Sequence, residues 1–442
     1  MSRIITIFFI TLLLVGCNEK SEQLPKFISL NQVDVFENQI DALTLIASSK
    51  YQITYSIKNG DSAYFIIDEV TGQVAFKIAP DFEVKNSYSF TAIATSEKGG
   101  KTEQVVTIKV LDIKEYALQD EPYIKQQWHI YKDETYYDSN NINEHASINE
   151  DGVLNRYTGK GVKIAVIDDG LDTTHEDFLD AVINTFDIAT ASKNVAHANQ
   201  SGYHGTAVTG VIAARLNGLG VKGIASNAEV IFLKYKEGMS DSETIELFLK
   251  AEQLGAQVIN CSWGTYDVSQ AVKDMIQYLS NHGRDGKGIP IVFASGNNDL
   301  DMRNDESAIP EVISVGATDK YNLRASYSNY GEYLDVMAPG GDNVLGITTL
   351  DNMNENGVAT IDENYLLPSD IKPFIGTSAA APIVTGVIAL MLEKEPNLTR
   401  IEIETLLKNS SDKIGYYDYT NGRNNFYGSG KINVSNLMNL LD

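Results

Sequence analysis

The sequence predicts an α/β protein with a mainly parallel sheet and helices on both faces, preceded by a small all-β sandwich. Three observations carry this expectation. Short alternating segments fill residues 27–113, whereas continuous apolar segments alternate with helical stretches after Glu115. In the second half, the residues able to do chemistry fall just past the ends of apolar strands, where open parallel sheets collect their ligands.

The elements follow in order. Tyr51–Ile57, Gln73–Phe76, Tyr88–Ala94 and Gln104–Val110 have the period of half-buried strands, separated by turn signals such as Asn59-Gly60-Asp61 and Lys98-Gly99-Gly100. About ninety residues of this kind suggest a β-sandwich. Beyond it, Lys163–Ile167, Val230–Leu233, Gln257–Cys261 and Ile289–Ala294 are apolar runs of the kind buried on both faces. Asp168, Ser262 and Asn297 each lie just past one of these runs.

With 35 Lys and Arg against 59 Asp and Glu, the 442-residue chain carries a net charge of −24. That excludes a nucleic-acid partner, which needs a basic face. The acid keeps a secreted chain soluble, or in clusters offers oxygen ligands to calcium. The apolar run Ile4–Gly16 is too short to span a bilayer. It ends in Leu14-Val15-Gly16-Cys17, which resembles the bacterial lipobox. That resemblance implies cleavage before Cys17, lipidation of its thiol, and an extracytoplasmic chain anchored to a membrane. Asn18 is not the aspartate associated with inner-membrane retention, which favours the outer membrane or cell surface. The only other cysteine, Cys261, sits in an apolar strand and reads as a buried, inert thiol.

Three short motifs point to acyl transfer: Val166-Ile167-Asp168-Asp169-Gly170, His204-Gly205-Thr206 and Gly376-Thr377-Ser378. Ser378 is a weak nucleophile until a base takes its proton, and His204 can do so near neutral pH. Asp168 would hold the imidazole tautomer and stabilise the imidazolium as it forms. Asn297, in Ala294-Ser295-Gly296-Asn297, offers an amide donor to a developing oxyanion.

These motifs resemble the subtilases, the subtilisin–kexin family of serine peptidases, over about 320 residues from Asp120 onward. The resemblance implies a subtilisin-like fold, with Asp168, His204 and Ser378 as triad and Asn297 as oxyanion donor. It also implies that Ser262, Trp263 and Gly264 pair with the substrate backbone. Asp168-Asp169-Gly170 and Ser262-Trp263-Gly264 are similar to the kexin-type forms. On that likeness Asp169 lies near S2 and Asp267 near S1, while Ala308 and Ser201 stand where kexin-type enzymes place further acids. The expected preference is broad or mildly basic. The resemblance further implies a structural calcium site, with carboxylate or amide oxygens from Glu121, Asp177 and Asn217, and backbone carbonyls of Arg215, Leu219 and Val221.

The β segment contains Phe36-Glu37-Asn38, Asp68-Glu69-Val70-Thr71-Gly72, Pro80-Asp81-Phe82-Glu83 and Leu111-Asp112-Ile113. These words resemble a cadherin repeat, in which Glu37, Asp81, Glu83 and Asp112 would be calcium ligands. Whether such a module binds calcium or a neighbouring protein is left open by the sequence. The expected organisation is a signal at 1–17, a tether at 18–26, the cadherin-like sandwich at 27–116 and the peptidase domain at 117–442. Two readings follow: a calcium-stabilised serine endopeptidase acting on polypeptides, or an adhesion lipoprotein with an idle subtilase scaffold. An idle scaffold has no need to keep Asp168, His204, Asn297 and Ser378 together.

Overall fold

The computed structural model describes residues 24–112, 114, 116–197 and 202–442. Cys17 and Ser201 lie outside the described residues. The chain divides into two compact units, one reaching Glu115 and the other spanning Tyr116–Asp442.

In the first unit, the strands Gln32–Phe36, Lys101–Leu111, Ser87–Ser96 and Ile53–Lys58 form a four-stranded sheet in that order. A second sheet holds Asp41–Thr44, Gln73–Phe76 and Phe65–Ile67. Pairing is antiparallel except between Gln32–Phe36 and Lys101–Leu111. Residues 87–96 alternate strictly, with Tyr88, Phe90, Ala92 and Ala94 turned into a core shared with Phe65, Val74 and Phe76. That alternation is what a sheet with one wet face demands.

The second unit is built on seven parallel strands: β1 (Lys163–Asp168), β2 (Val182–Asp187), β3 (Glu229–Lys234), β4 (Val258–Cys261), β5 (Ile291–Ala294), β6 (Ile313–Thr318) and β7 (Val336–Pro339). Their order in the sheet is β2-β3-β1-β4-β5-β6-β7. The helices are α1 (Glu134–Asn140), α2 (His204–Ala213), α3 (Asp241–Gln253), α4 (Gln270–Gly286), α5 (Thr377–Lys394), α6 (Arg400–Ser410) and α7 (Val434–Asn439). Strand residues alternate between two cores. Ile164, Val166, Val230 and Phe232 pack with α2 and α5, whereas Ala165, Ile167, Ile231 and Leu233 pack with α3 and α4. The central strands are therefore apolar throughout, as a doubly covered sheet requires.

Strand order reverses between β1 and β4, because β2 and β3 extend the sheet to one side and β4–β7 to the other. Such a switch point opens a crevice at the strands' carboxyl ends. Asp168 closes β1 and Ser262 follows β4, so both stand at its rim.

Candidate active site

Each polar group of the crevice is placed by a chain end. His204 opens α2, and its Nδ1 lies 2.7 Å from Asp168 Oδ1. The same Asp168 oxygen accepts the Asp169 N–H at 2.8 Å, while Oδ2 is buried without a partner. Burial opposes the imidazolium, but the charge and hydrogen bond of Asp168, with help from Asp169, lift His204 to about 9. The edge of its ring meets Phe374, 5.9 Å between centroids.

Ser378 is the second residue of α5. Its hydroxyl donates to the Ser262 carbonyl at 3.0 Å rather than to the imidazole. To reach the imidazole this hydroxyl would have to turn, a rotation open to any serine. The helix explains how the nucleophile's backbone is held. Pro382 has no N–H, so the Ser378 carbonyl has no partner four residues on. The Ser262 hydroxyl supplies one at 3.1 Å, and is itself held by Asn260 Nδ2 at 3.1 Å. Thr385, two turns beyond Ser378 along α5, donates to Asn260 Oδ1 at 2.8 Å. This chain of hydrogen bonds ties β4 to α5 beneath the nucleophile.

Asn297 is oriented by α5 as well. Its Oδ1 accepts both the Thr377 N–H at 2.8 Å and the Thr377 hydroxyl at 2.9 Å. The carboxamide nitrogen is thereby left to face the crevice as a donor. Gly376 has φ +121°, and a Cβ there would come within 3.1 Å of that nitrogen. Any larger residue would be strained and would crowd the donor.

The pocket beside Ser378 is lined by Ser262, Trp263, Gly264, Tyr266, Gly296, Asn297 and Asp305, among others. Trp263 turns its ring away from the crevice, donating to the Ile167 carbonyl at 2.8 Å and packing edge-on against Phe293 and Tyr235. The Asp305 carboxylate is the acid of this pocket. It accepts the N–H groups of Tyr266 at 2.9 Å and Ser307 at 3.0 Å, and a Cβ on Gly264 would lie 2.6 Å from it. Sequence reasoning missed Asp305. Ala308 lines an adjoining cavity with Lys273, Arg303 and Glu332, which also takes in Asp305, and Asp267 is exposed and absent from the pocket wall. The acid pair Asp305-Glu306 just before Ala308 was the available signal. Asp169 is also less free than expected: its Oδ1 accepts the Gly205 N–H at 2.9 Å and faces His197 at 3.5 Å.

The residues expected to hold calcium meet around the loop 215–221. Glu121 Oε1 accepts the N–H groups of Asn217 (2.7 Å) and Gly218 (2.8 Å), and Oε2 that of Gly220 (3.1 Å). Asp177 Oδ2 accepts the Val221 N–H at 3.3 Å, and its Oδ1 is buried with no partner. Asn217 Oδ1 accepts from Leu219 at 3.0 Å. The Arg215 guanidinium turns away to Asp180 and the carbonyls of Ser226 and Ala228, so it opposes no cation here. Burial, opposed by hydrogen bonds from Val221 and Asn217, pushes the Asp177 carboxyl up to about 7. A buried carboxylate oxygen lacking any donor fits a hard cation.

In the first unit, oxygens of Glu37, Glu83 and Asp112 lie within 4.8 Å of one another. Asp81 instead caps its own turn, accepting the Val84 N–H at 2.9 Å.

Fold and crevice together define a doubly wound α/β protein carrying a serine–histidine–aspartate constellation at its switch point. The model of the subtilase family matches residues 159–430, and the chain belongs to that family. A calcium-dependent protease of Nostoc sp. is 32% identical over 344 residues, covering 71% of this chain. This chain spans about half of that relative, 51% of its length. Subtilisin Savinase of Lederbergia lenta is 31% identical over 281 residues, or 63% of this chain and 90% of the relative. Among solved structures, proteases from Pseudoalteromonas arctica superpose with a TM-score of 0.59 at 24% identity, over 73% of this chain and 99% of theirs. That likeness shows the fold.

Proposed function

We propose that this chain is a serine endopeptidase that cleaves polypeptides through an acyl-enzyme. The observation that carries the reading is the convergence of Asp168, His204, Ser378 and Asn297 at one crevice, with the Asn297 amide aimed by Thr377. His204 takes the Ser378 proton as Oγ attacks the scissile carbonyl. Asp168 stabilises the imidazolium, and Asn297 Nδ2 receives the oxyanion. The imidazolium then returns its proton to the leaving amine, and water repeats the sequence on the ester. Extended substrate lies along Ser262–Gly264, and Asp305 gives the adjoining pocket a preference for a basic side chain at P1.

Calcium would be held by Asp177, Glu121 and Asn217, with carbonyls of Arg215, Leu219 and Val221; it would stabilise the loop and take no part in the reaction. Supporting this are the unpartnered Asp177 oxygen and the similarity to proteases named calcium-dependent. The lipobox at Cys17 supports an extracytoplasmic, lipid-anchored chain, and the sandwich supports a cadherin-like module.

The test is labelling by a fluorophosphonate probe, comparing the chain with its Ser378→Ala variant. Ser378-dependent labelling is expected. A folded, calcium-loaded chain that does not label would favour the idle scaffold.

A further inference from the structure

His197, which the mechanism leaves unused, sits beside the triad with its side chain only 6% exposed. Two glycines clamp its ring. A Cβ on Gly170 would come 2.7 Å from its Nδ1, and one on Gly202 would come 2.9 Å from the same atom. Its Nε2 lies 3.0 Å from the hydroxyl of Thr206, two residues after His204.

The hydrogen bonds around Thr206 determine where the ring proton is. Asn352 Nδ2 donates to the carbonyls of Gly202 and Asn356, so its Oδ1 must be the atom facing Thr206. The Thr206 hydroxyl gives its one hydrogen to that oxygen at 2.7 Å and accepts the Asp172 N–H at 3.0 Å. It has no hydrogen left for His197. The imidazole Nε2 is therefore protonated and donates.

That leaves Nδ1 facing Asp169 Oδ1 at 3.5 Å. In a neutral ring with its hydrogen on Nε2, Nδ1 is an acceptor turned toward the oxygen of a half-buried carboxylate, two acceptors facing each other. A proton held between them removes the conflict. We infer that His197 and Asp169 form a second histidine–aspartate pair sharing one proton, and that His197 is thereby a positioning residue that keeps Asp169 from standing beside the triad as a free carboxylate.

Asp169 is faced by Asp168, His204 and His197; His197 is faced by Asp169, Lys234, Asp172 and His204. Burial and the neighbouring Asp168 charge push the Asp169 carboxyl up, and burial pushes the His197 imidazole down against the pull of Asp169. The raised carboxyl favours keeping the shared proton and the lowered imidazole favours losing it, so the pair holds that proton most firmly on the acidic side, and the two groups titrate together. The consequence falls on His204. The Asp169 charge, wherever it is free, adds to that of Asp168 and is part of what lifts His204, holding the imidazole protonated at pH values where it must act as base. The shared proton removes that second charge, and with it the bare acid expected at S2.

The inference rests on the peptidase reading, so its test has one arm with turnover and one without. The first measures kcat/KM against pH on a peptide with uncharged side chains, using the full chain, His197→Gln and Asp169→Asn. His197→Gln frees the Asp169 carboxylate and is expected to move the acidic midpoint upward by about one pH unit. Asp169→Asn is expected to leave that midpoint within about 0.3 unit, since the pair carries no net charge before or after. The reverse pattern, or lower rates at every pH with unmoved midpoints, overturns the inference. The second arm follows 15N-histidine signals in the Ser378→Ala chain. There Asp169→Asn is expected to lower the His197 titration midpoint, and an unchanged midpoint overturns the pair whatever the enzyme does. Absence of Ser378-dependent turnover at all pH values would count against the peptidase alone, the NMR result still deciding on the pair.

Discussion

The two units each gather acids, and they treat them differently. In the catalytic unit Asp168 and Asp177 are fully buried, and each keeps one carboxylate oxygen without any hydrogen-bond partner. In the sandwich, Glu83 and Asp112 are exposed beside the buried Glu37, their oxygens within 4.8 Å. Proximity is common to both. Loss of water is complete for both acids of the first and for only one of the three in the second, and it makes a charge act strongly on a neighbour, because the effective dielectric falls and no solvent competes. The catalytic unit turns one of these acids to an imidazole and keeps the other buried with an open oxygen; the sandwich leaves two of its three to water.

The crevice adds a donor that is preorganised although its residue is exposed. Asn297→Ala removes an amide that Thr377 already orients, so kcat is expected to fall by about 10²–10³, or about 2.7–4 kcal/mol, with little change in KM. Steady-state kinetics on a peptide amide decides this. A fall shared equally by KM would mean that the amide binds ground state and transition state alike.

Next in size is the cation. If calcium fits Asp177, chelation should lower the unfolding midpoint of the catalytic unit, by about 2.7 kcal/mol when the ion was present at a hundredfold its Kd. For a unit of this length that is about 4 °C, readable by calorimetry. Asp177→Asn should abolish the calcium effect, and a chelator-insensitive midpoint would remove the distinction drawn between the two groups of acids.

What the sequence displays and what it hides follow from the same geometry. Asp168, Ser262 and Asn297 were legible because a parallel sheet delivers its strand ends to one edge, and a strand end can be seen in an apolar run. His204 and Ser378 each begin an apolar helix, which is equally visible. Asp305 was not, because the pocket wall comes from a loop whose carboxylate is turned inward by the N–H groups of Tyr266 and Ser307, a through-space arrangement without a period. His197 was hidden for the same reason: its partners Thr206 and Asp169, and Asn352 behind Thr206, come from three separate stretches of chain. The calcium loop lies between, since ligand types were readable but the unpartnered Asp177 oxygen was not.

Asp305 offers a third, smaller test. Asp305→Asn keeps the size of the side chain and can still accept one backbone N–H. The ratio of kcat/KM for lysine over phenylalanine at P1 is expected to fall about tenfold or more. An unchanged ratio would mean that the carboxylate serves only to hold the Tyr266 and Ser307 backbone.

The smallest effect is expected in the sandwich. Glu83 makes a backbone hydrogen bond that favours its charge, yet desolvation and the charges of Glu37, Asp112 and Asp81 outweigh it and raise its carboxyl. A carboxyl raised on folding contributes stability that is full below its unfolded value and lost as pH climbs through its folded one. Without calcium at neutral pH, Glu83→Gln should therefore nudge the sandwich's unfolding midpoint upward, and at pH 3 it should do nothing. Differential scanning calorimetry at both pH values measures this. Should calcium reverse the sign, so that the charged glutamate becomes the more stable form, the exposed acids would be behaving as the buried ones do. Solvent access would then no longer separate the two units; the separation would rest on the imidazole, which only the catalytic crevice supplies.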